Sequence, residues 1–204
     1  DLSLFEEGKE WIENKTKIPI LGIIPWLNEK FPPEDSLDIL ENNITKKNPE
    51  IKIGIIKFPS ISNFSDFDPL ENEDSISIKW IKSSQNLIQF DFIILPGSKQ
   101  TIKDKLFLEK TGLLKNIEDY SNANGSIFGI CGGLQMLGTI LEDPYFKEGT
   151  NIHEDNCIQG IGLLPLHTKF FKNKKTIQVK SESLWPCSST VEGFEIHTGI
   201  TNLD

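Results

Sequence analysis

A cysteine stands where a short apolar segment gives way to glycines, in residues 126–138, which read SIFGICGGLQMLG. The β-forming residues before Cys131 and the helical apolar spacing after it predict a strand, a sharp turn and a helix. Gly129 and Gly132 flank this cysteine as glycines flank the nucleophile of the G-x-S-x-G elbow. Such a turn lifts the sulfur out of the sheet, and the start of a helix favours the thiolate form. The pattern indicates acyl transfer through a thioester, but a small inert residue at a tight turn also fits it.

A second predicted strand ends in the sequence LPGS, at residues 95–98. If both strands belong to one parallel sheet, both loops emerge at its carboxyl edge, where open α/β sheets bind ligands. The backbone N–H groups of Gly132 and Gly97 would then form a two-donor oxyanion hole for a tetrahedral intermediate. The two motifs together strengthen the catalytic interpretation of Cys131, and the inert one stays open beside it.

A thiolate nucleophile needs a base within hydrogen-bond reach, and the chain has three histidines. His153 lies in a polar loop and is typical of a solvated surface histidine. His167 follows LLPL on a predicted strand and is typical of a half-buried side chain. His197, in the sequence EIHTG, ends a predicted strand beside Gly199 and is the attractive candidate. Its alternative roles are to shape the site or to contact the substrate.

Strand and helix patterns alternate through the middle of the chain and position these groups. Strands are predicted at 51–58, 76–81, 90–97 and 126–130, and helices at 99–124, with a break at 111–112, and at 131–142. The continuous apolar strands predict a flavodoxin-like, mostly parallel sheet covered by helices on both faces. Residues 60–71 read as a polar loop. After Pro144 the pattern predicts antiparallel or edge strands at 160–171, 174–183 and 191–201, with the lysine-rich stretch 172–175 at a solvated hairpin tip.

The first 48 residues read as a separate unit, a remnant of a preceding α/β domain with its linker, and residues 49–204 as the main domain. Apolar spacing predicts a helix at 4–15, a buried strand at 18–27 and a short helix within 31–43. The strand at 18–27 would complete a sheet whose other strands are missing, so we expect an exposed apolar edge around residues 18–24. The missing initial Met and the absence of a closing helix indicate a fragment truncated at both ends.

Composition limits the classes of partner. The formal net charge of −9 disfavours nucleic acid and anionic membranes as partners, and no apolar run approaches the roughly 20 residues of a membrane span. All basic residues other than histidine are lysines, so an anion in a site here would be held without a guanidinium fork. Three cysteines without CxxC spacing, and no signal-peptide pattern, favour a reducing, cytoplasmic compartment.

Several motifs, in order along the whole chain, resemble the cobyric acid synthase family of cobalamin biosynthesis. The sequences LPGSKQTIKD, GICGGLQMLG and GFEIHTGIT resemble its class I, triad-type glutamine amidotransferase domain. The loop FPSISNFSDFDPLE resembles the start of that domain and is the most discriminating match, since CGGxQ elbows occur in several amidotransferases. The stretch before it, GKEWIENKTKIPILGIIPWL, resembles the end of the ATP-dependent synthetase domain.

The resemblance implies that Cys131 attacks the side-chain amide of glutamine and releases ammonia. Gly97 and Gly132 would supply the oxyanion donors, and Gln135 would contact the bound glutamine. The base would lie in a His-Gly turn beyond Asp204, which leaves His197 a shaping or contact role. In the family, the ammonia passes to a synthetase domain that uses ATP and magnesium to amidate carboxylates of cobyrinic acid a,c-diamide.

The chain also departs from the family pattern. No GxxxxGK[ST] motif occurs, so no ATP or other cofactor site is expected in this chain, and no metal site either. Where the family tends to carry arginine, the chain has Ser60 and Ile200. Two alternatives therefore stay open: a relative that amidates another corrinoid or a cell-wall precursor, and a catalytically inactive docking scaffold of the same fold.

Overall fold

The computed structural model describes residues 5–23, 49–148, 156–184 and 187–204. The chain forms two compact units, Asp1–Ser36 and Leu37–Asp204, and the boundary predicted at 48/49 stays a prediction. The predicted helix within 31–43 and His153 lie outside the described residues. None of the helices in the described ranges has the length and apolar character needed to cross a membrane.

The described part of the first unit is helix α1, Glu6–Thr16, as predicted, followed by an irregular segment. Lys17 ends the helix in the left-handed conformation, with φ of 59°. Residues 17–23 form no strand, so the strand predicted from residue 18 is wrong over these residues; the N–H of Ile20 bonds the Glu13 carboxylate at 2.7 Å instead of a neighbouring strand. The apolar exposure expected here is confirmed, because Leu21 is 96% exposed.

The second unit is built on a four-stranded parallel sheet, which confirms the sequence prediction. Its strands are β1 (Ile51–Ile56), β2 (Ile76–Ile81), β3 (Phe92–Leu95) and β4 (Ser126–Gly129), in the order β2-β1-β3-β4. Side chains alternate between the two faces, so Ile53 and Ile55 pack on one side of the central strand and Ile56 on the other. The carboxyl ends of β3 and β4 lie side by side, with Leu95 paired to Gly129.

Helices cover both faces of this sheet. On one face lie α3 (Thr101–Thr111) and α4 (Leu113–Asn122), separated at Gly112, whose φ of 76° makes the predicted break. On the other face, residues 60–71, predicted as a loop, form a 3-10 helix (Phe64–Phe67) and α2 (Asp68–Asn72). Aromatic packing explains this difference: the Phe67 ring meets Trp80 of β2 edge-on at 5.5 Å and is buried.

The helix after the cysteine is shorter than predicted. Helix α5 covers only Gly132–Met136, and strand β5 (Ile140–Glu142) replaces the remainder of the predicted helix 131–142. Backbone contacts cause the switch, because the Thr139 N–H donates to the Leu166 carbonyl at 2.7 Å. A Cβ at Gly138 would lie 2.5 Å from the same oxygen. The chain at Gly138 therefore lies too close to the backbone of Leu166 for any residue with a side chain.

A second, mixed sheet has the order β6-β5-β7-β8. It contains β5 together with β6 (Cys157–Gln159), β7 (Leu166–Ser183) and β8 (Ser189–Leu203). The predicted antiparallel pairing is confirmed for β7 with β8. The sequence predicted no strand at β6, which pairs antiparallel with β5, and β5 and β7 are parallel. Residues 160–165 are not a strand, and the lysines at 172–175 lie within β7, at its register shift, rather than at a hairpin tip.

We predict that Gly133→Ala destabilises the second unit by about 3 kcal/mol, the upper end of the cost of overpacking. A Cβ at Gly133 would lie 2.0 Å from the Leu95 carbonyl oxygen, so α5 and β3 would have to separate. The free energy of unfolding in urea measures the effect. Gly193→Ala in β8 is the matched control, because its Cβ would meet nothing within 4 Å. An equal, small effect of both substitutions would contradict the prediction.

Candidate active site

Cys131 occupies a strained turn between β4 and α5. Its φ of 49° and ψ of −109° are unusual for a residue with a side chain. The preceding Ile130 still pairs with β3, because its N–H donates to the Leu95 carbonyl at 2.9 Å, so the chain reverses direction within one residue. The cysteine is exposed as a result. The sharp elbow expected from the sequence is present, with the sulfur-bearing residue at its apex.

Close packing explains the glycines around this turn. A Cβ at Gly129 would lie 2.7 Å from the backbone nitrogen of Leu134, and one at Gly133 would overlap the Leu95 carbonyl. A Cβ at Gly132 would lie 3.0 Å from the backbone nitrogen of Ser98. Each glycine therefore allows α5 to approach backbone rather than side chains. The loop after β3 and the elbow are brought together, as the two sequence motifs predict.

The orientation of the loop after β3 adds a donor that the sequence did not single out. The Gly97 carbonyl accepts the N–H of Ser62 at 3.0 Å. Because a trans peptide holds its C=O and N–H on opposite sides, the N–H of Ser98 points away from Ser62. Gly132 lies near this nitrogen, since a Cβ built on Gly132 would be 3.0 Å from it. The roles of Gly97 and Gly132 as oxyanion donors stay predictions, and Ser98 joins them as a candidate.

A buried carboxylate holds this loop in position. Asp104 of α3 accepts a hydrogen bond from the Ser98 hydroxyl at 2.6 Å and from the backbone N–H of Ser60 at 3.2 Å. Burial raises the pKa of Asp104, and these hydrogen bonds partly offset that rise. One side chain thus ties the loop after β3 to the loop after β1. Asp104 was not among the sequence candidates, because an acidic residue inside a helix pattern gives no local signal.

The elbow opens into a cavity of about 490 Å³ at the carboxyl edge of the parallel sheet. Both sheets of the second unit contribute to its walls. The lining residues are Ser62, Asn63, Asp66, Phe67, Gly97, Ser98, Lys99, Thr101, Ile130, Cys131, Gln135, Glu148, Phe170, Lys174, Ile196, His197, Thr198 and Gly199. This is the edge where ligands bind in open α/β sheets, and a cavity of this size accommodates a small molecule.

Gln135 lies one helical turn after Cys131 and lines the cavity, although it is only 8% exposed. Its amide oxygen accepts a hydrogen bond from the Thr101 hydroxyl at 3.4 Å. Its amide nitrogen would lie 2.9 Å from a Cβ at Gly199, so glycine in β8 leaves room for this side chain. The structure therefore brings Gln135 to the cavity, and its contact with a substrate stays a prediction.

His197 lines the same cavity, but both of its ring nitrogens face oxygen acceptors. Nδ1 lies 2.6 Å from the Gly199 carbonyl oxygen, and Nε2 lies 2.6 Å from the Glu195 carboxylate. Bonds to Lys175 and to His197 lower the pKa of Glu195, which keeps it an acceptor. Each ring nitrogen therefore faces an oxygen within its own strand rather than the sulfur of Cys131. This geometry favours the shaping role over the base.

His167 lies in β7, where its Nε2 is 3.3 Å from the Glu142 carboxylate. Of the histidines in the described ranges, His197 alone lines the cavity. Hydrogen bonds from Lys169 lower the pKa of Glu142, which also pairs with that lysine at 2.6 Å. His167 therefore belongs to a polar cluster on the second sheet, consistent with the half-buried role expected of it.

The cavity also contains a carboxylate that sequence reasoning missed. Glu148 is 6% exposed and lies in the cavity wall. Asp143 accepts the backbone N–H groups of Lys147 and Glu148, at 2.9 and 2.8 Å, and so fixes the turn that carries Glu148. Burial raises the pKa of Glu148 to about 7, and the charge of Asp143 adds to the rise. The Asp-Pro pair before this turn was the available sequence signal, but it indicates only a turn.

Comparisons with known proteins agree with this fold. The model of the CobB/CobQ-like glutamine amidotransferase domain family matches residues 52–204. Cobyric acid synthases from two Prochlorococcus marinus strains are 72% (MIT 9515) and 70% (MIT 9301) identical over 204 residues. Those alignments cover 100% of this chain and 40% of each relative, so the chain spans about 40% of their length.

A solved structure described as a glutamine amidotransferase superposes on 71% of this chain and 70% of its own, with a TM-score of 0.51. Its sequence is 16% identical, so this likeness concerns the fold alone. It agrees with the parallel sheet covered by helices.

We predict that the stability of the chain falls as the pH rises from about 5 to about 8, because of Glu148. Its pKa is raised from 4.5 to about 7 in the folded chain, so its stabilising contribution is complete below pH 4.5 and is lost as pH rises through 7. The loss amounts to about 3 kcal/mol. Glu148→Gln, which stays neutral, should remove that part of the pH dependence in urea unfolding. Identical pH dependence in the two proteins would overturn the prediction.

Proposed function

The chain belongs to the CobB/CobQ-like glutamine amidotransferase family, and we propose that Cys131 is the nucleophile with which it hydrolyses glutamine. The observation that carries the proposal is the position of Cys131: strained, exposed and at the apex of an elbow that opens into a cavity. Strain of this kind costs about 1–3 kcal/mol and clusters at functional sites. An inert cysteine would gain nothing from it.

The reaction we propose begins with attack of the Cys131 thiolate on the side-chain amide carbon of glutamine. The negative charge moves to the amide oxygen, where the N–H groups of Gly132 and of the Gly97–Ser98 loop can stabilise it. Collapse of this intermediate breaks the C–N bond, and ammonia leaves with an added proton. Water then hydrolyses the thioester and releases glutamate. The Gln135 amide, next to the elbow, holds the substrate in place.

The base that assists these proton transfers is a group other than His197, whose two ring nitrogens are occupied by Gly199 and Glu195. A His-Gly turn of the kind implied by the family resemblance is our candidate. His197 has a shaping role: its bond to the Gly199 carbonyl fixes β8 where it meets the Gln135 amide.

We further propose that the whole protein is a cobyric acid synthase. The support is the 72% identity to such a synthase along the entire chain, together with the SNFSDFDPL loop. In this proposal ammonia from Cys131 amidates carboxylates of cobyrinic acid a,c-diamide, and the remaining part of the protein uses ATP and magnesium to activate them. Cys131 and Cys187 are exposed free thiols, which suits a reducing compartment such as the cytoplasm.

We expect Cys131→Ala to abolish release of ammonia from glutamine in the full-length protein, because no other group in the reaction can form the thioester. A coupled assay for ammonia and mass spectrometry of the trapped acyl-enzyme measure the two steps. Cys187→Ala is the matched control, since Cys187 is also an exposed thiol but does not line the cavity. Turnover of the Cys131 variant at the wild-type rate would overturn the nucleophile assignment. A wild-type protein without glutaminase activity would instead favour the docking scaffold.

We expect His197→Asn to lower kcat/KM for glutamine by about tenfold while the shape of its pH profile stays unchanged. A lost hydrogen bond at the edge of the site costs about 1 kcal/mol or somewhat more, whereas loss of a general base costs 10²–10⁴-fold. Initial rates between about pH 6 and pH 9 distinguish the two. Loss of the limb of the profile that reports the base would show that His197 is the base after all.

A further inference from the structure

One polar atom in the cavity wall has no partner. The Oε2 atom of Glu148 is buried and makes no hydrogen bond in the part of the chain that the structure describes. A buried carboxylate oxygen without a partner costs free energy, because it has lost its water and gained nothing in return. Such atoms are rare in folded proteins and commonly await a ligand or serve a catalytic function.

The Glu148 carboxylate lies beside the start of helix α3. The backbone N–H groups of Ile102 and Thr101, in the first turn of this 11-residue helix, interact with the carboxylate and oppose the rise in its pKa. Asp143 fixes the backbone that carries Glu148, through its bonds to the N–H groups of Lys147 and Glu148. The turn is therefore held in place, while Oε2 of the side chain is left without a partner.

Thr101 connects this carboxylate to the reacting cysteine. Its N–H faces Glu148, and its hydroxyl donates to the Gln135 amide at 3.4 Å. The same hydroxyl oxygen lies 3.1 Å from the position of a Cβ on Gly132, the residue after Cys131. A single residue thus separates the carboxylate from both the elbow and the amide predicted to contact the substrate.

The charges of the cavity are arranged as an amino acid requires. Glu148 is the buried acid of the wall, whereas the charged side chains Lys99, Lys174 and Asp66, which also line the cavity, are exposed. Glutamine carries an ammonium and a carboxylate on its α-carbon, several bonds away from the amide that reacts. The buried anion suits the ammonium, and the exposed lysines offer cations for the carboxylate.

We propose that the free oxygen of Glu148 binds the α-ammonium of glutamine and so selects an α-amino acid over a plain amide. This inference rests on the proposed glutaminase function of Cys131. An ammonium has three N–H donors, and a buried carboxylate is its natural acceptor. Binding gives Oε2 the partner that it lacks, and it places the side-chain amide at a fixed distance from the elbow. Glu148 is thus a residue of substrate recognition.

The test compares glutamine with 5-amino-5-oxopentanoic acid, which has the same amide and carboxylate but no α-ammonium. Binding of both is measured by titration calorimetry to the full-length Cys131→Ala protein, which cannot turn either compound over. We expect Glu148→Gln in this background to weaken glutamine binding by about 10- to 100-fold, the usual value of a hydrogen bond to a charged group. Binding of the analogue should change by less than about threefold.

Glu50→Gln is the matched control. Glu50 is exposed and precedes β1 at the amino end of the sheet, opposite the cavity, so the same chemical change there should leave both affinities alone. Glutamine at the Glu148 position keeps the shape of the side chain, and urea unfolding at about pH 8 checks that the variant is folded.

Each other outcome overturns the inference in a distinguishable way. An equal loss for both compounds means that Glu148 shapes the cavity without recognising the ammonium. Unchanged affinity for both means that it does not reach the ligand, and the glutaminase function stands. Unchanged binding with lost turnover of glutamine, in a protein that retains Cys131, means that Glu148 transfers protons instead. Absence of glutamine binding in every variant removes the glutaminase function and this inference together.

Discussion

The contact between the elbow and strand β3 governs the arrangement of the whole site. Gly133 presents only hydrogen to the Leu95 carbonyl oxygen, at a separation that no side chain could share. This close backbone contact sets helix α5 against the sheet and turns Cys131 outward in its strained conformation. Everything else in the cavity is placed relative to that contact: the loop after β3 beside Gly132, the Gln135 amide below, and β8 against it.

Two buried carboxylates, Asp104 and Glu148, support the cavity, and they differ in their hydrogen-bond partners. Asp104 has hydroxyl and backbone donors around its carboxylate, so its burial is largely compensated. Glu148 keeps one buried oxygen without a partner, and burial raises its pKa to about 7. Both carboxylates lie close to the N-terminus of α3. This helix therefore positions the loop after β3 as well as the part of the cavity wall that contains Glu148. The Asp104 carboxylate finds its hydrogen-bond partners within the protein, whereas the Glu148 carboxylate lacks one until a cationic group binds.

The sequence predicts the parallel sheet well because its strands are apolar on both faces, and the break at Gly112 because glycine adopts a positive φ easily. It also brings Cys131, Gly97, Gly132 and Gln135 to one place, since strand ends of a parallel sheet share an edge. It fails where tertiary contacts override local pattern. Thr139 leaves the helix to bond Leu166, 27 residues away, and no local signal announces that partner. Glu148 was missed for the same reason, because the role we propose for it depends on a hydrogen-bond partner that its carboxylate lacks in the fold.

Cys131 keeps a backbone conformation that glycine would adopt more readily. Folding alone gives no reason for cysteine there, because a glycine at the apex would relieve the strain and stabilise the chain. Random substitution in a lineage with no use for the thiol would therefore tend to remove it, since the replacement is also the more stable variant. Under the proposed function, cysteine at this position exchanges stability for chemistry, and that exchange is visible in the backbone geometry of a single sequence.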